Sequence, residues 1–200
     1  QSNQIDKAQL ESLHKLGFEA ERLGVLKGSI AAAEPMIRMG NALQFNANSI
    51  KASYLGAAHQ YANGLNGEEA CAIFKYAGAN SEMNVAAFTA SAWGINNIGA
   101  HQFAQMIWYF IEGVQIGFQE NPLDDDTNYI KYLAHFESPS QDISFYKSRR
   151  TDKWWFYLPV DKNKYPLFKY LIPCSYADYE MAMQGEIPIK WVQAVARLDN

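Results

Sequence analysis

The sequence predicts an α/β fold: strand and helix alternate up to about residue 118, and an antiparallel α+β extension over 119–200 completes a single domain of residues 1–200. Three observations carry this expectation. Short apolar runs alternate with stretches of helical periodicity as far as IGAHQFAQMIWYFIEGVQIGF. Beyond NPLDDDT the chain turns to aromatic and β-branched runs separated by polar turns. Finally, 200 residues at 48% hydrophobic and 19% charged suffice for one core of ordinary composition.

Taken in order, IDKAQLESLHKL sets Ile5, Leu10, Leu13 and Leu16 near helical spacing, and Gly17 supplies a stop. FEAERLG (18–24), short and bounded by glycines, reads as a strand or strand edge. A short helix is expected within 25–40, with Ser29 a candidate cap and Gly40 its end. ALQFNANS (42–49) reads as a buried strand, with Leu43 and Phe45 alternating. Residues 53–67, rich in Gly, Ala and Asn, read as a long irregular loop of the kind that borders a ligand crevice. A helix over 67–80 carries Glu68 and Glu69 in its first turn, and NVAAFTASAW (84–93) is the next strand. The longest helix covers 98–118, with Phe103, Ile107, Phe110 and Val114 on one face. In the extension, YIKYLAHFES, DISFYKS and KWWFYLPV supply two or three antiparallel strands and LFKYLIP another. Ser175 then caps a helix, and Pro188 stands near the start of the last one.

A net charge of -4, with no basic stripe beyond the pair Arg149-Arg150, argues against nucleic acid as a partner. No apolar run approaches membrane-spanning length. Cys71 and Cys174 stand far apart and read as free thiols in a reducing, cytoplasmic compartment, with export by a removed signal as the alternative. Gln1 is not an initiator methionine, and the first residues hold no apolar signal core. The chain is therefore expected to be processed, trimmed or part of something longer.

Candidate chemistry is sparse. His59 in the Gly/Ala-rich loop and His101 at the start of the long helix could be ligands or bases, yet no carboxylate cluster accompanies them; His14 and His135 read as a surface and a strand histidine. Glu68 and Glu69 suit a helix dipole better than paired acid catalysis, and Asp124-Asp125-Asp126 lacks calcium-loop spacing. Trp154, Trp155, Phe156 and Tyr157 are consecutive, so a strand would send two to each face. They read either as cover for the core or as a partner-binding surface at Trp154 and Trp155, rimmed by Arg149 and Arg150.

The stretch LQFNANSI (43–50) ends an apolar run on two asparagines one residue apart, Asn46 and Asn48. Together with LNGEEACAIFKYAG, HQFAQMIWYFIEG, ISFYKSRRTDKWWFYLP and LIPCSYADYEMAMQGEIP, it resembles the arginase/ureohydrolase family, in its formiminoglutamase-like branch. The resemblance covers most of the chain and corresponds to the C-terminal portion of such a protein. It implies a three-layer α/β/α fold on a parallel sheet, and hydrolysis of a guanidino or formimino group by two manganese ions and a bridging hydroxide. It places a carboxylate pair at Asn46 and Asn48, and a substrate-binding glutamate on the following strand at Ala90. All three charges are missing. The resemblance therefore implies a catalytically inactive ureohydrolase-like protein without a cofactor, with a structural or protein-interaction role and a protein partner or self-association. The alternative is a manganese-dependent hydrolase of a non-peptide C–N bond whose other ligands lie elsewhere. A sheet assembled from only part of such a fold is further expected to expose an unpaired edge.

Overall fold

The computed structural model describes residues 6–56, 62–89, 97–124, 127–137, 140–161, 163–165 and 169–198. Glu21–Gln119 form one compact unit; the segments ending at Ala20 and beginning at Glu120 form a second. The chain is of mixed α/β character, with eight α-helices, a two-stranded parallel sheet and a four-stranded antiparallel sheet among the described residues.

Helix α1 (Lys7–Lys15) belongs to the second unit and is capped by Asp6, whose side chain accepts the Ala8 N–H at 3.2 Å. The first unit begins with α2 (Leu23–Gly28), a 3-10 turn (Ile30–Ala32) and α3 (Ala33–Met39). The strand expected over 18–24 does not form. Val25 and Leu26 N–H groups both find the Arg22 carbonyl, closing a helical turn locally where a strand would need a neighbour. Nor does Ser29 cap a single helix: its backbone is extended and its side chain makes no capping bond, so the segment breaks into α2 and α3. Gly40 does end α3.

Strand β1 (Ala42–Asn46) ends before residue 49, its expected end, because a second 3-10 turn (Ala47–Ser49) takes over, and a one-turn helix, α4 (Ala52–Leu55), reaches into the segment 53–67 expected to be loop. Helix α5 (Gly67–Gly78) then crosses over to β2 (Val85–Thr89), which pairs with β1 in parallel from Ala42↔Val85 to Asn46↔Thr89. Among the described residues each of these strands has one neighbour. Four rings form the middle of this unit. Phe45 meets Phe74 edge-on at 5.3 Å, Phe74 stacks on Phe88 at 4.5 Å, and Phe88 meets Phe103 edge-on at 5.5 Å. Phe45 is the buried residue of β1, so the strand is half-exposed instead of buried throughout.

Helix α6 (Asn97–Ile116) lies against α5 at backbone distance, because Gly78 and Gly113 face each other's helix: a Cβ on Gly78 would stand 2.0 Å from the Phe110 oxygen. This approach decides which side of α6 is buried. Gly99, Gln102, Met106 and Gly113 are buried; of the face expected in the sequence, Phe103 and Phe110 pack against the core, whereas Ile107 and Val114 are 49% and 53% exposed. Large apolar residues stand on every side of this helix, so periodicity picks no single face; the close glycine contacts set it.

In the second unit β3 (Tyr129–Glu137), β4 (Ser140–Ser148), β5 (Trp154–Tyr157) and β6 (Leu171–Cys174) form an antiparallel sheet in that order. Tyr132, Phe145, Phe156 and Ile172 lie in one cross-strand row. Helix α7 (Tyr176–Met183), held by a capping box between Ser175 and Asp178, lays Tyr179 against Tyr132, Phe145 and Trp154 at 5.0–5.5 Å. Helix α8 (Ile189–Ala196) receives the end of α1. Gly17, at φ +73°, sits so close that a Cβ would meet the Gln193 oxygen at 2.5 Å, and Lys190 pairs with Glu19 at 2.8 Å. No described helix is long and apolar enough to cross a membrane.

Candidate functional site

In open α/β sheets ligands gather at the carboxyl ends of parallel strands. Here that end is Asn46 on β1 and Thr89 on β2, which are in register. Asn46 leaves the strand at φ -89°, ψ 119°, and its side-chain oxygen accepts the Asn48 backbone N–H at 2.9 Å. This is an Asx cap: the amide closes the 3-10 turn that redirects the chain. Ala47 between the two asparagines is buried and Asn46 is exposed. The turn is fastened from below, as Leu65 N–H donates to Ser49 and Lys51 N–H donates to Leu65 at 2.7 and 2.9 Å. Gly64 is required at this closure, since a Cβ there would stand 2.5 Å from the Ser49 oxygen. Ala90 and His59 lie outside the described residues.

Two divalent cations held side by side need several anionic oxygens to offset their mutual repulsion. Asn46 and Asn48 are neutral, and the Asn46 oxygen is engaged with a backbone donor. The described donors at this strand end do not fit a manganese pair, and no group of three His, Cys, Asp or Glu able to hold a metal occurs among the described residues.

The other candidates separate. His14 and His101 are exposed, on α1 and in the second turn of α6. His135 and Asp142 pair across β3 and β4 at 2.5 Å on an exposed face. Glu69 reaches back to the Asn66 N–H at 2.7 Å, a capping contact, with Lys27 at 3.5 Å. Asp124 bonds Asn121 at 2.6 Å, and Asp125 and Asp126 lie outside the described residues. Neither cysteine is in a disulfide, and both are buried. Burial pushes the Cys71 thiol up, a hydrogen bond from Gln102 at 3.5 Å partly opposing it, which is the reverse of an activated nucleophile.

Trp154 and Trp155 are 6% and 5% exposed. Trp154 stacks on Tyr132 and Tyr179, and Trp155 meets Tyr129 edge-on at 5.9 Å, so both indoles are packing groups on opposite faces of the sheet. Arg149 and Arg150 are exposed at the β4–β5 turn. In that turn Asp152 takes a left-handed backbone (φ 57°) and holds Lys147 at 2.8 Å. Beneath it lies a buried pair that no local pattern signals: Glu120 binds Lys153 at 3.1 Å and accepts the Thr151 hydroxyl at 2.7 Å. The composition of α6 leaves its outer side nearly free of charge. Its twenty residues hold one Asp, Glu, Lys or Arg, namely Glu112, which is tied to Lys75 at 2.7 Å.

Neither a family model, nor a curated protein, nor a solved structure matches this chain.

Proposed function

We propose that the chain is a ureohydrolase-like domain without the family's chemistry, serving as a structural or interaction component. The observation that carries this reading is the state of Asn46. At the strand end where the resemblance expects a metal carboxylate, a neutral amide spends its oxygen on the local turn. Replacing clustered like charges by amides also removes repulsion from the strand end. That change accords with a chain retained for its surface more than for a reaction. The half-exposed parallel pair β1–β2 and the uncharged outer side of α6 both offer surface to a partner.

The test is an activity assay on guanidino and formimino substrates with manganese supplied. Release of urea or formamide at the rate of the uncatalysed reaction is expected. Turnover that depends on manganese would replace this reading with a C–N hydrolase.

A further inference from the structure

We infer that α6 is the dimerisation element of this protein, pairing antiparallel with α6 of a second copy. The inference rests on the non-catalytic reading only for its biological sense; its physical basis is the outer face of the helix. Asn97, His101, Ala104, Trp108, Ile111 and Gln115 are all exposed and follow the alternating four-and-three spacing of a helix-pairing seam. Ala100, Ile107 and Val114 flank the seam on one side. Trp108 is 69% exposed, and Ile111 beside it is also open to water.

A second copy fits this seam for two reasons. The first is charge: the seam carries no Asp, Glu, Lys or Arg, and Glu112 at its edge is neutralised by Lys75, so two copies meet without repulsion. The second is shape under two-fold symmetry. With the axis crossing at the level of Met106, Ala104 of one copy opposes Trp108 of the other, twice. Asn97 opposes Gln115, amide to amide, and His101 opposes Ile111. The largest side chain thus faces the smallest, and the polar ends face each other. A helix of this length spans about 30 Å. The four large apolar residues on and beside the seam, Ile107, Trp108, Ile111 and Val114, offer roughly 400 Å², at up to about 250 Å² for an open tryptophan. That is about half of the roughly 800 Å² per partner of a standard interface, before the smaller seam residues add to it.

The test is the solution mass of the full 200-residue chain by sedimentation equilibrium at roughly 50 µM, well above a micromolar Kd. Twice the 22.6 kDa chain mass is expected. Ala104→Glu and Trp108→Lys, both at exposed positions, should each weaken dimerisation at least about 100-fold while leaving the circular dichroism of the monomer unchanged. Mixing the two variants should restore a heterodimer, because the acidic position of one chain then faces the basic position of the other. A monomeric parent, an oligomer indifferent to both substitutions, or no recovery on mixing overturns the inference. None of these outcomes touches the manganese assay, so the two readings fail separately.

Discussion

Replacing Gly113 with alanine probes the α5–α6 crossing on which the first unit depends. A Cβ there would stand 2.3 Å from the Lys75 oxygen, 2.9 Å from the Ala79 nitrogen and 3.0 Å from the Gly78 Cα. All three atoms are backbone, so no side chain can swing aside. On an open helix the same change would gain about 1 kcal/mol from helix propensity. Here the helices must separate, and overpacking of this kind costs about 1–3 kcal/mol. Separation also loosens the packing of Met106 and Phe74, buried side chains whose contacts cannot be kept on both sides, adding about 1–2 kcal/mol. The net expectation is a loss of about 2 kcal/mol. Since the chain has two units, it should be read by hydrogen exchange of α5 and α6 amides and not by one global transition. Gly24→Ala in α2 is the control, because nothing lies within 4 Å of its Cβ, and a gain of up to about 1 kcal/mol is expected there. Exchange for Gly113→Ala within about 0.5 kcal/mol of the parent would refute the close-approach argument.

Two further outcomes follow from the same structure. Glu120→Ala strands the largely buried Lys153 ammonium and the Thr151 hydroxyl, and should cost the second unit about 3 kcal/mol in urea titrations while α5 amides keep their protection. The raised thiol of Cys71 means the native state prefers the protonated form. Its stabilising contribution is therefore complete below the ordinary thiol range, about pH 8.5, and is lost as pH rises through the raised native value. The first unit should therefore weaken as pH rises above about 8.5, less steeply in Cys71→Ala, and equal slopes in the two proteins would count against the burial.

The parts of the fold legible in the sequence are those fixed by local chemistry. Glu68 and Glu69, Ser175 and Pro188 mark the starts of α5, α7 and α8, because dipole contacts and capping are decided within one helical turn. Strands β3, β4 and β5 follow from their aromatic and β-branched runs. What escaped depends on distant partners. FEAERLG has strand-like brevity, yet its neighbour Leu23–Gly28 closes hydrogen bonds locally. The buried side of α6 is chosen by a glycine meeting another helix, which periodicity cannot register in a helix with large apolar residues on every side. Trp154 and Trp155 point to opposite faces, as strand alternation demands, but only the folded sheet shows both faces covered at that point. At the candidate site the positions Asn46 and Asn48 were visible in the sequence. The contact between them was not, because an asparagine after a strand can serve a ligand or its own backbone equally well.

On the proposed reading, the strand end at Asn46 and Asn48 holds no dinuclear metal. The measurement that tests it most directly is the metal content of the purified full chain after equilibration with excess manganese and removal of unbound ion. Well under about 0.1 manganese per chain is predicted, unchanged by chelator. About two manganese ions per chain, as in two-metal hydrolases, lost to chelator together with hydrolysis of a guanidino or formimino substrate, would contradict it.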